Sequence, residues 1–315
     1  MNVLAELLKY KTTALVNGAA RFNSPLVRTV LAPFFRPGRP YRLWFGPLRG
    51  LKMYYDRSIN FHVILGLWDA ETFQLLNRIF VQSALLSKDS IVADVGANIG
   101  YYTIWLSTAA ASRGHVYAFE PNPEVAGFLS SNLKINNIAN AEVVGAACGD
   151  HIGTTDFFIA KHHHSSSLHE DWAGSGHSDA RKIIVPMITL DDFFAPEEGR
   201  RQPNFIKIDI EGGGTYALPG CQRLLQEARP FVLIESHNPD EDRAISNVLN
   251  NFHYRGYRLN DRNWVQNPRV THPDKQGVWG TLLLTPEEHY ASVAAAIGKR
   301  QGSSRGGSGC ELISI

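Results

Sequence analysis

The chain has few cysteines and no long apolar run. Its three cysteines, Cys148, Cys221 and Cys310, form no closely spaced pair among 315 residues. Such a sparse, odd set argues against a disulfide framework and leads us to expect the reducing cytoplasm. No run of about 20 apolar residues occurs, so no membrane-spanning helix is expected. The first residues resemble an amphipathic helix and lack the compact apolar core of a secretion signal.

Acidic residues are almost absent from residues 1–52. Glu6 is the only acid there against nine bases, so this segment carries +8 while the whole chain carries +1. Aromatic residues such as Trp44 and Phe45 are interleaved with the bases. We interpret the segment either as a helical cap with solvated arginines or as a surface for weak contact with a membrane or a carrier. No nucleic-acid-binding motif accompanies the bases, so nucleic acid is not expected as a partner.

The dinucleotide fingerprint G-x-G-x-x-G is missing from the one glycine turn that follows a buried strand. Here Ile91–Val95 is a predicted strand, and the next residues run Gly96-Ala97-Asn98-Ile99-Gly100. Glycines allow a tight turn and a close approach of the backbone to a ligand. Asp94, just before the turn, would repel a pyrophosphate and attract a cation. The pattern therefore favours S-adenosylmethionine, which carries a sulfonium and an ammonium, over NAD.

A second acid follows the next predicted strand. His115–Phe119 is apolar, and Glu120 stands 20 positions after Gly100, where a carboxylate takes the hydroxyls of a ribose. We expect Asp94 and Asn98 to hold the amino-acid part of the cofactor and Glu120 its ribose. Asp150, in the loop after the following strand, is a candidate acceptor for the adenine amino group.

Three ordered motifs resemble the FkbM family of S-adenosylmethionine-dependent methyltransferases. They are Asp94–Thr103, Phe119–Pro123 and Ile206–Gly212, and the resemblance covers about residues 50 to 285. It implies a class I methyltransferase fold and, most often, methylation of a hydroxyl on a sugar or a natural product. The matched motifs contain the further cofactor-binding candidates, which are Gly96, Gly100, Tyr101, Thr103, Pro121 and Asn122. The family usually continues the third motif with Ala-Glu, whereas this chain has Gly213-Gly214, so the second acid is missing.

Strand and helix patterns alternate from residue 91 onward, which predicts an α/β, Rossmann-like sheet of seven strands. We expect a β-hairpin insertion at Thr154–Ala160 and Lys182–Met187, and a strand over Ala141–Ala147. The predicted organisation is a basic helical and loop extension (1–50), a methyltransferase domain (51–285, with the cofactor core from about 88), and a C-terminal helix with a disordered tail (286–315).

Ligands bind at the carboxyl ends of the strands in such sheets. Asp209 ends one predicted strand, and Glu235 and His237 end the next. These three residues are the candidates for the general base, with His237 having the most suitable unperturbed pKa. Lys207 shares a face with Asp209, either in a catalytic role or paired with Glu211 or Glu235. A divalent metal is compatible with Asp209, Glu235 and His237 but is not predicted.

A histidine-rich segment, His162-His163-His164, lies inside the hairpin. Three adjacent histidines point in different directions, so we interpret it as a mobile lid over the acceptor site rather than a metal site. The family often carries a Ser-Ser-Leu segment here, matched by Ser166-Ser167-Leu168.

The leading hypothesis is an S-adenosylmethionine-dependent O-methyltransferase acting on a small-molecule or glycan acceptor, such as a sugar or a secondary metabolite. An NAD-dependent oxidoreductase or epimerase is the alternative enzyme. A catalytically idle scaffold is the alternative without chemistry, and the missing acid at Gly214 keeps it open. Sequence patterns specify neither the acceptor, nor methylation on oxygen rather than nitrogen, nor the oligomeric state.

Overall fold

A computed structural model describes residues 34–55, 61–66, 68–83, 86–110, 113–160, 166–168, 180–259, 262–265 and 280–298. The strands are β1 (Pro40–Arg42), β2 (Lys52–Tyr54), β3 (Ile91–Val95), β4 (His115–Phe119), β5 (Ala141–Val144), β6 (Ala147–Cys148), β7 (Gly153–Ile159), β8 (Arg181–Ile188), β9 (Phe205–Ile208), β10 (Phe231–Ser236), β11 (Tyr254–Arg258), β12 (Asn263–Val265) and β13 (Gly280–Pro286). The α-helices are α1 (Phe61–Leu65), α2 (Ala70–Ser83), α3 (Tyr101–Ala109), α4 (Pro123–Ile135), α5 (Leu190–Phe193), α6 (Gly214–Ala217), α7 (Gln222–Glu227), α8 (Pro239–Asn251) and α9 (Tyr290–Gly298).

One mixed sheet dominates the fold, in the order β12-β11-β13-β10-β9-β3-β4-β5. The strands from β10 to β5 in this order are parallel, and β13 runs antiparallel between β10 and β11. The predicted class I methyltransferase fold is confirmed, with eight strands in the sheet instead of seven. The additional strand is β12, a three-residue edge strand paired with β11, which is too short to give a periodic signal.

The predicted hairpin insertion is present as β7 and β8, which pair antiparallel over seven residue pairs. The predicted strand over Ala141–Ala147 is divided. Its first part, β5, forms the edge of the main sheet, whereas Ala147 and Cys148 form β6 and pair with β8 in a separate three-stranded sheet. The chain therefore leaves the main sheet at residue 145, directly beside the edge where the parallel strands end.

The central strands are buried on both faces because helices cover the sheet on each side. Val92 of β3 packs in a cluster with Ile104 of α3 and Leu129 of α4. Its neighbour Ala93 packs in the opposite cluster with Ile245 of α8. Because successive side chains of β3 enter opposite clusters, the strand is apolar on both faces except at Asp94. Each fully buried aliphatic side chain contributes about 1.5–3 kcal/mol.

The segment before the main sheet is fixed to α4 by two asparagines. Asn132 Oδ1 accepts from the Tyr54 N–H at 2.8 Å, and its Nδ2 donates to the Ile99 carbonyl at 2.8 Å. Asn136 makes the same kind of paired contact with the backbone of Lys52. The β1–β2 hairpin is thus tied, through α4, to the glycine turn after β3.

Several predictions fall outside the described residues. These are the part of the basic extension before residue 34, the histidines at 162–164 and the C-terminal tail after residue 298. Among the residues that the structure covers, no helix combines the length and apolar character needed to cross a membrane.

Candidate active site

A cavity of about 230 Å³ lies at the carboxyl edge of the parallel strands. Five chain segments after β3, β4, β5, β9 and at the end of β10 form most of it, and the segment before α2 and the β7–β8 insertion close its sides. Its described lining comprises Val63, Trp68, Val95, Gly96, Ala97, Asn98, Ile99, Tyr101, Tyr102, Phe119, Glu120, Pro121, Ala146, Ala147, Cys148, Phe157, Ser166, Leu168, Lys207, Asp209, Ile210, Glu211 and Glu235. The strand ends predicted to share one site therefore do so.

The two glycines of the turn after β3 are required by protein neighbours. Gly96 has φ +76°, and a Cβ on it would lie 1.9 Å from the Asp209 carbonyl oxygen. Gly100 has φ +91°, and its Cβ would lie 2.3 Å from Leu129 Cδ1. The sequence interpretation assigned this open space to a ligand. The atoms that fill it belong to the loop after β9 and to α4, so the glycines let those elements approach the turn.

Asp94 lies behind the turn and is fully buried. Its Oδ2 accepts from Thr103 Oγ1 at 2.6 Å, and its Oδ1 lies 3.6 Å from Lys207 Nζ with no hydrogen bond to any described residue. Burial raises the pKa of Asp94, although Lys207 and Thr103 oppose that shift. Thr103 is also fully buried, so its hydroxyl positions Asp94 and does not line the cavity. That Asp94 holds the cofactor's amino-acid part stays a prediction.

Glu120 lines the cavity and is held by two backbone donors. The Asn98 N–H donates to Oε2 at 3.0 Å, and the Asn122 N–H donates to Oε1 at 2.9 Å. Burial raises the pKa of Glu120 to about 7, against the lowering effect of the two N–H groups. Asn122 also caps α4 by accepting from the Glu124 N–H at 3.0 Å, with Pro123 at the first helical position.

Lys207 joins β9 to the turn after β3. Its Nζ donates to the Gly96 carbonyl at 2.9 Å and lies 3.4 Å from Asp209 Oδ2. Burial lowers the pKa of Lys207, but the carboxylates of Asp209, Asp94 and Glu235 outweigh burial and raise it overall. The sequence interpretation offered Glu211 or Glu235 as ion-pair partners. The ion-pair partners in the structure are Asp94 and Asp209.

His237 faces three carboxylates at the end of β10. Its Nε2 lies 3.7 Å from Asp209 Oδ1, 3.7 Å from Glu211 Oε2 and 3.8 Å from Glu235 Oε1. Burial lowers the pKa of His237, but Glu241, Asp209 and Glu211 together raise it to about 9. The choice of His237 as base from its unperturbed pKa therefore does not carry over to this environment. Asp209 raises the pKa of Glu235 to about 8, and burial raises that of Glu211 to about 7.

Asp150 is not among the residues that line the cavity. Its side chain is exposed and contacts His151 Nδ1 at 2.7 Å. Ala147 and Cys148 pair with β8, and the Gly149 N–H continues this pairing by donating to the Ile188 carbonyl, so Asp150 lies on the exposed side of the chain. Ala147 and Cys148 line the cavity at the place predicted for Asp150. Of the other candidates, Gly96, Asn98, Tyr101, Glu120, Pro121, Lys207, Asp209 and Glu235 line the cavity, whereas Asp94, Gly100, Thr103, Asn122 and His237 support it.

Sequence reasoning missed Glu241, which is fully buried in the first turn of α8. Its Oε1 accepts from the Gly214 N–H at 2.9 Å, and its Oε2 accepts from the His237 N–H at 2.7 Å. Oε2 also lies 3.3 Å from His237 Nδ1. The available signal was the helix-start pattern Asn238-x-x-Glu241, which is typical of a capping box.

Two more contacts connect outlying segments to the site. Tyr102 donates its hydroxyl proton to Asp69, whose pKa burial raises to about 6. Ser167, in the Ser-Ser-Leu segment, donates to the Glu211 carbonyl at 2.7 Å. No local pattern marks Asp69, because its role depends on a contact 33 residues away in sequence.

Comparisons with known proteins agree with the motifs. The family model for the methyltransferase FkbM domain matches residues 94–259, just over half of the chain. A hexuronic acid methyltransferase, AglP of Haloferax volcanii, is 27% identical over 173 residues, which cover 55% of this chain and 65% of that protein. Methyltransferase 1 of Beauveria bassiana is 23% identical over 51% of this chain and 70% of that protein.

A solved structure, methyltransferase FkbM from Methylobacillus flagellatus, has 19% sequence identity and a TM-score of 0.39, and the match covers 74% of this chain and 55% of that one. The chain thus spans somewhat less than two thirds of the archaeal relative and just over half of the solved structure. Motifs, sheet order and the family match lead to one conclusion: the chain belongs to the FkbM methyltransferase family.

Proposed function

We propose that the protein is an S-adenosylmethionine-dependent O-methyltransferase whose acceptor is a hydroxyl of a neutral sugar or glycan. The observation that carries the proposal is the acid-rich cavity at the carboxyl edge of β3, β4, β9 and β10. Glu120, Asp209, Glu211 and Glu235 line it, and Lys207 is the one lysine or arginine among its described lining residues. Such a cavity suits a ligand with a net positive reacting centre.

The residues present fit this cofactor. Glu120 keeps its carboxylate at the cavity while two N–H groups fix its orientation, so its remaining lone pairs can accept from ribose hydroxyls. Asp94, paired with Lys207 behind the turn, adds negative charge close to the place proposed for the ammonium group of the cofactor. Ala146 and Ala147 offer an apolar wall for the adenine. The bound cofactor supplies an electrophilic methyl group on a sulfonium.

NAD fits the same residues poorly. A pyrophosphate needs free backbone N–H groups at the glycine turn. The Asn98 N–H already donates to Glu120 Oε2 at 3.0 Å, and the Glu120 carboxylate would repel a phosphate.

The acceptor end is formed by Asp209, Glu211 and Glu235, and the aromatic side chains Trp68 and Tyr102 also line the cavity. Carboxylates accept hydrogen bonds from hydroxyls, and aromatic faces pack against the apolar face of a sugar ring. Above about pH 8, where Glu211 and Glu235 are ionised, and without a bound cation, a uronate would bring its own carboxylate against three others, so a neutral sugar is favoured under those conditions. Asp209 and Glu235 lie where they can take the proton of the reacting hydroxyl, with His237 adjacent to both.

The first test is calorimetric titration with S-adenosylmethionine, S-adenosylhomocysteine and NAD. We expect the first two to bind and NAD not to bind. Glu120→Ala and Asp94→Ala should lose that binding, whereas the control Glu142→Ala, which removes an exposed acid on β5, should keep it. Binding of NAD alone would reject the proposal, and binding of none would favour the idle scaffold.

The acceptor is tested by transfer of isotope-labelled methyl groups, followed by mass spectrometry. Methyl glucoside and methyl glucuronide form a matched pair that differs in one carboxylate. We expect transfer to the neutral member and at least tenfold less to the uronate. Preference for the uronate would contradict the electrostatic argument for the acceptor and leave the cofactor assignment intact.

A further inference from the structure

The acceptor end of the cavity brings together three side chains of the types that bind metal ions, a group that was not predicted from the sequence. Asp209, Glu211 and His237 each offer one ligating atom, and these atoms lie within 4.8 Å of one another. From the sequence, the residues compatible with a divalent metal were Asp209, Glu235 and His237. Glu211 joins them because its backbone is left-handed, with φ +49°, and the Ser167 hydroxyl holds its carbonyl.

The spacing around His237 Nε2 is that of ligands around a common centre. Oxygen atoms of Asp209, Glu211 and Glu235 lie at 3.7, 3.7 and 3.8 Å from it. A charge-assisted hydrogen bond to any one of them would bring that oxygen to about 2.7–2.9 Å. A divalent cation with ligands at about 2.0–2.4 Å places neighbouring ligand atoms roughly 3–3.5 Å apart, so the three distances from His237 Nε2 are slightly too long, and the set, which lies within 4.8 Å, would have to contract around an ion.

An independent observation comes from the other nitrogen of the imidazole. His237 Nδ1 lies 3.3 Å from Oε2 of Glu241, and both side chains are buried. The Gly214 and His237 N–H groups in turn fix the Glu241 carboxylate. Metal-binding histidines typically direct their second nitrogen to a carboxylate, which selects the tautomer with Nε2 as ligand. Glu241 is therefore the carboxylate that faces Nδ1, while Nε2 on the other side of the ring faces the three carboxylates.

We propose that Asp209, Glu211 and His237, with Glu235 as a fourth donor, bind one divalent cation at the acceptor end of the cavity. Carboxylates with one imidazole suit Mn²⁺, Mg²⁺ or Zn²⁺. What the cation does rests on the proposed function: it would bind the acceptor hydroxyl, lower the pKa of that hydroxyl and hold its oxygen toward the methyl group.

The experiment uses Mn²⁺ as the probe, on the full chain at pH 8 without cofactor. Electron paramagnetic resonance counts bound Mn²⁺, and we expect one ion per chain, displaced by Zn²⁺ or by excess Mg²⁺. Pulsed measurements should show coupling to one ¹⁴N from a coordinated imidazole. In His237→Gln the ¹⁴N coupling should vanish and the Kd should rise at least tenfold.

Three matched variants separate the roles of the acids. Glu211→Gln removes a ligand and should weaken Mn²⁺ binding at least tenfold. Glu241→Gln keeps every ligand but alters the carboxylate that faces Nδ1, and should weaken binding about 10–100-fold while the ¹⁴N coupling persists. Glu142→Gln, which changes an exposed acid of β5, should leave the Kd within twofold. Circular dichroism melts identify any variant that fails to fold.

The outcomes distinguish this proposal from the proposed function. Binding of Mn²⁺ with ¹⁴N coupling but without S-adenosylmethionine binding would keep the cation site and reject the methyltransferase assignment. S-adenosylmethionine binding in the presence of EDTA, together with no Mn²⁺ binding, would reject the cation site and keep the cofactor. Mn²⁺ binding that neither Glu211→Gln nor His237→Gln weakens would likewise overturn the proposal.

Discussion

Cofactor affinity should depend on pH through Glu120. Burial raises the pKa of this carboxyl to about 7 in the free protein, so near neutral pH it is half ionised. Ribose hydroxyls donate to the ionised form, because the protonated carboxyl has one oxygen that is itself a donor. The Kd for S-adenosylhomocysteine should therefore fall as pH rises through 7 and level off above about 8. At pH 6 binding should be roughly tenfold weaker than on that plateau.

The stability of the free protein should change in the opposite direction. A raised folded-state pKa means that Glu120 contributes stability fully below its unfolded pKa near 4.5 and loses that contribution as pH rises through about 7. A shift from 4.5 to about 7 corresponds to roughly 3 kcal/mol. Glu120→Gln should remove this term. It should also weaken cofactor binding by about 10–100-fold, because its NH₂ group would face the Asn98 or Asn122 N–H and leave an unsatisfied donor.

The assay is calorimetry with S-adenosylhomocysteine from pH 5.5 to 8.5 on the wild type and Glu120→Gln in parallel. The ligand's own amino group titrates within this range, but it does so equally for both proteins. The Kd of Glu120→Gln divided by the Kd of the wild type therefore reports on Glu120 alone, and this ratio should rise about tenfold between pH 6 and 8. A ratio that stays constant over this range would refute the assignment of Glu120 as the ribose carboxylate with a raised pKa.

Two further predictions compare identical substitutions in different surroundings. Gly96→Ala should destabilise the fold by about 2–4 kcal/mol, since φ is +76° and the new Cβ would meet the Asp209 carbonyl, whereas Gly127→Ala, in α4 with open space around it, should stabilise by about 0.5–1 kcal/mol. Urea unfolding measures the free energy of unfolding of both variants, and a change of the same sign in the two would contradict the geometry. Lys207→Met should cost about 3–5 kcal/mol by leaving buried carboxylates without their cation, and Lys182→Met, which breaks an exposed ion pair, should cost less than about 1 kcal/mol. Comparable losses in this second pair would show that Lys207 is not a buried counter-ion.

The parts of the fold that follow from local pattern could be predicted from the sequence. The strands Ile91–Val95 and Phe205–Ile208 are buried on both faces, so they are mostly apolar, each with one charged residue, Asp94 or Lys207, and Asp209 follows directly after the second. The turn pattern Asn122-Pro123 at the start of α4 has a mechanism that operates within a few residues. Because parallel strands end at one edge, these local assignments were sufficient to bring Glu120, Asp209 and Glu235 together.

The remaining contacts depend on pairs that are distant in sequence. Lys207 donates to Gly96 across 111 positions, so no window around either residue indicates that the lysine serves the glycine turn. Asp150 lies outside the cavity lining for a related reason. The residues just before it leave the main sheet to pair with β8, and that pairing depends on Met187 and Ile188. Glu241 was missed because its capping pattern explains the start of α8 but does not reveal the contact with Gly214, 27 positions earlier.

The close approach of the Gly96 and Asp209 backbones sets the distance between the expected methyl donor and the methyl acceptor. In the proposed function, the turn after β3 holds the cofactor and the loop after β9 provides the acceptor-side carboxylates. These two backbones touch where a Cβ on Gly96 would lie 1.9 Å from the Asp209 carbonyl, and Lys207 joins them again through the Gly96 carbonyl at 2.9 Å. In-line methyl transfer requires the reacting atoms to be aligned at about 3–3.5 Å. The direct backbone contact between the two loops fixes the distance between the cofactor and acceptor sides more rigidly than side chains could. Gly96→Ala should therefore lower kcat more than it weakens cofactor binding.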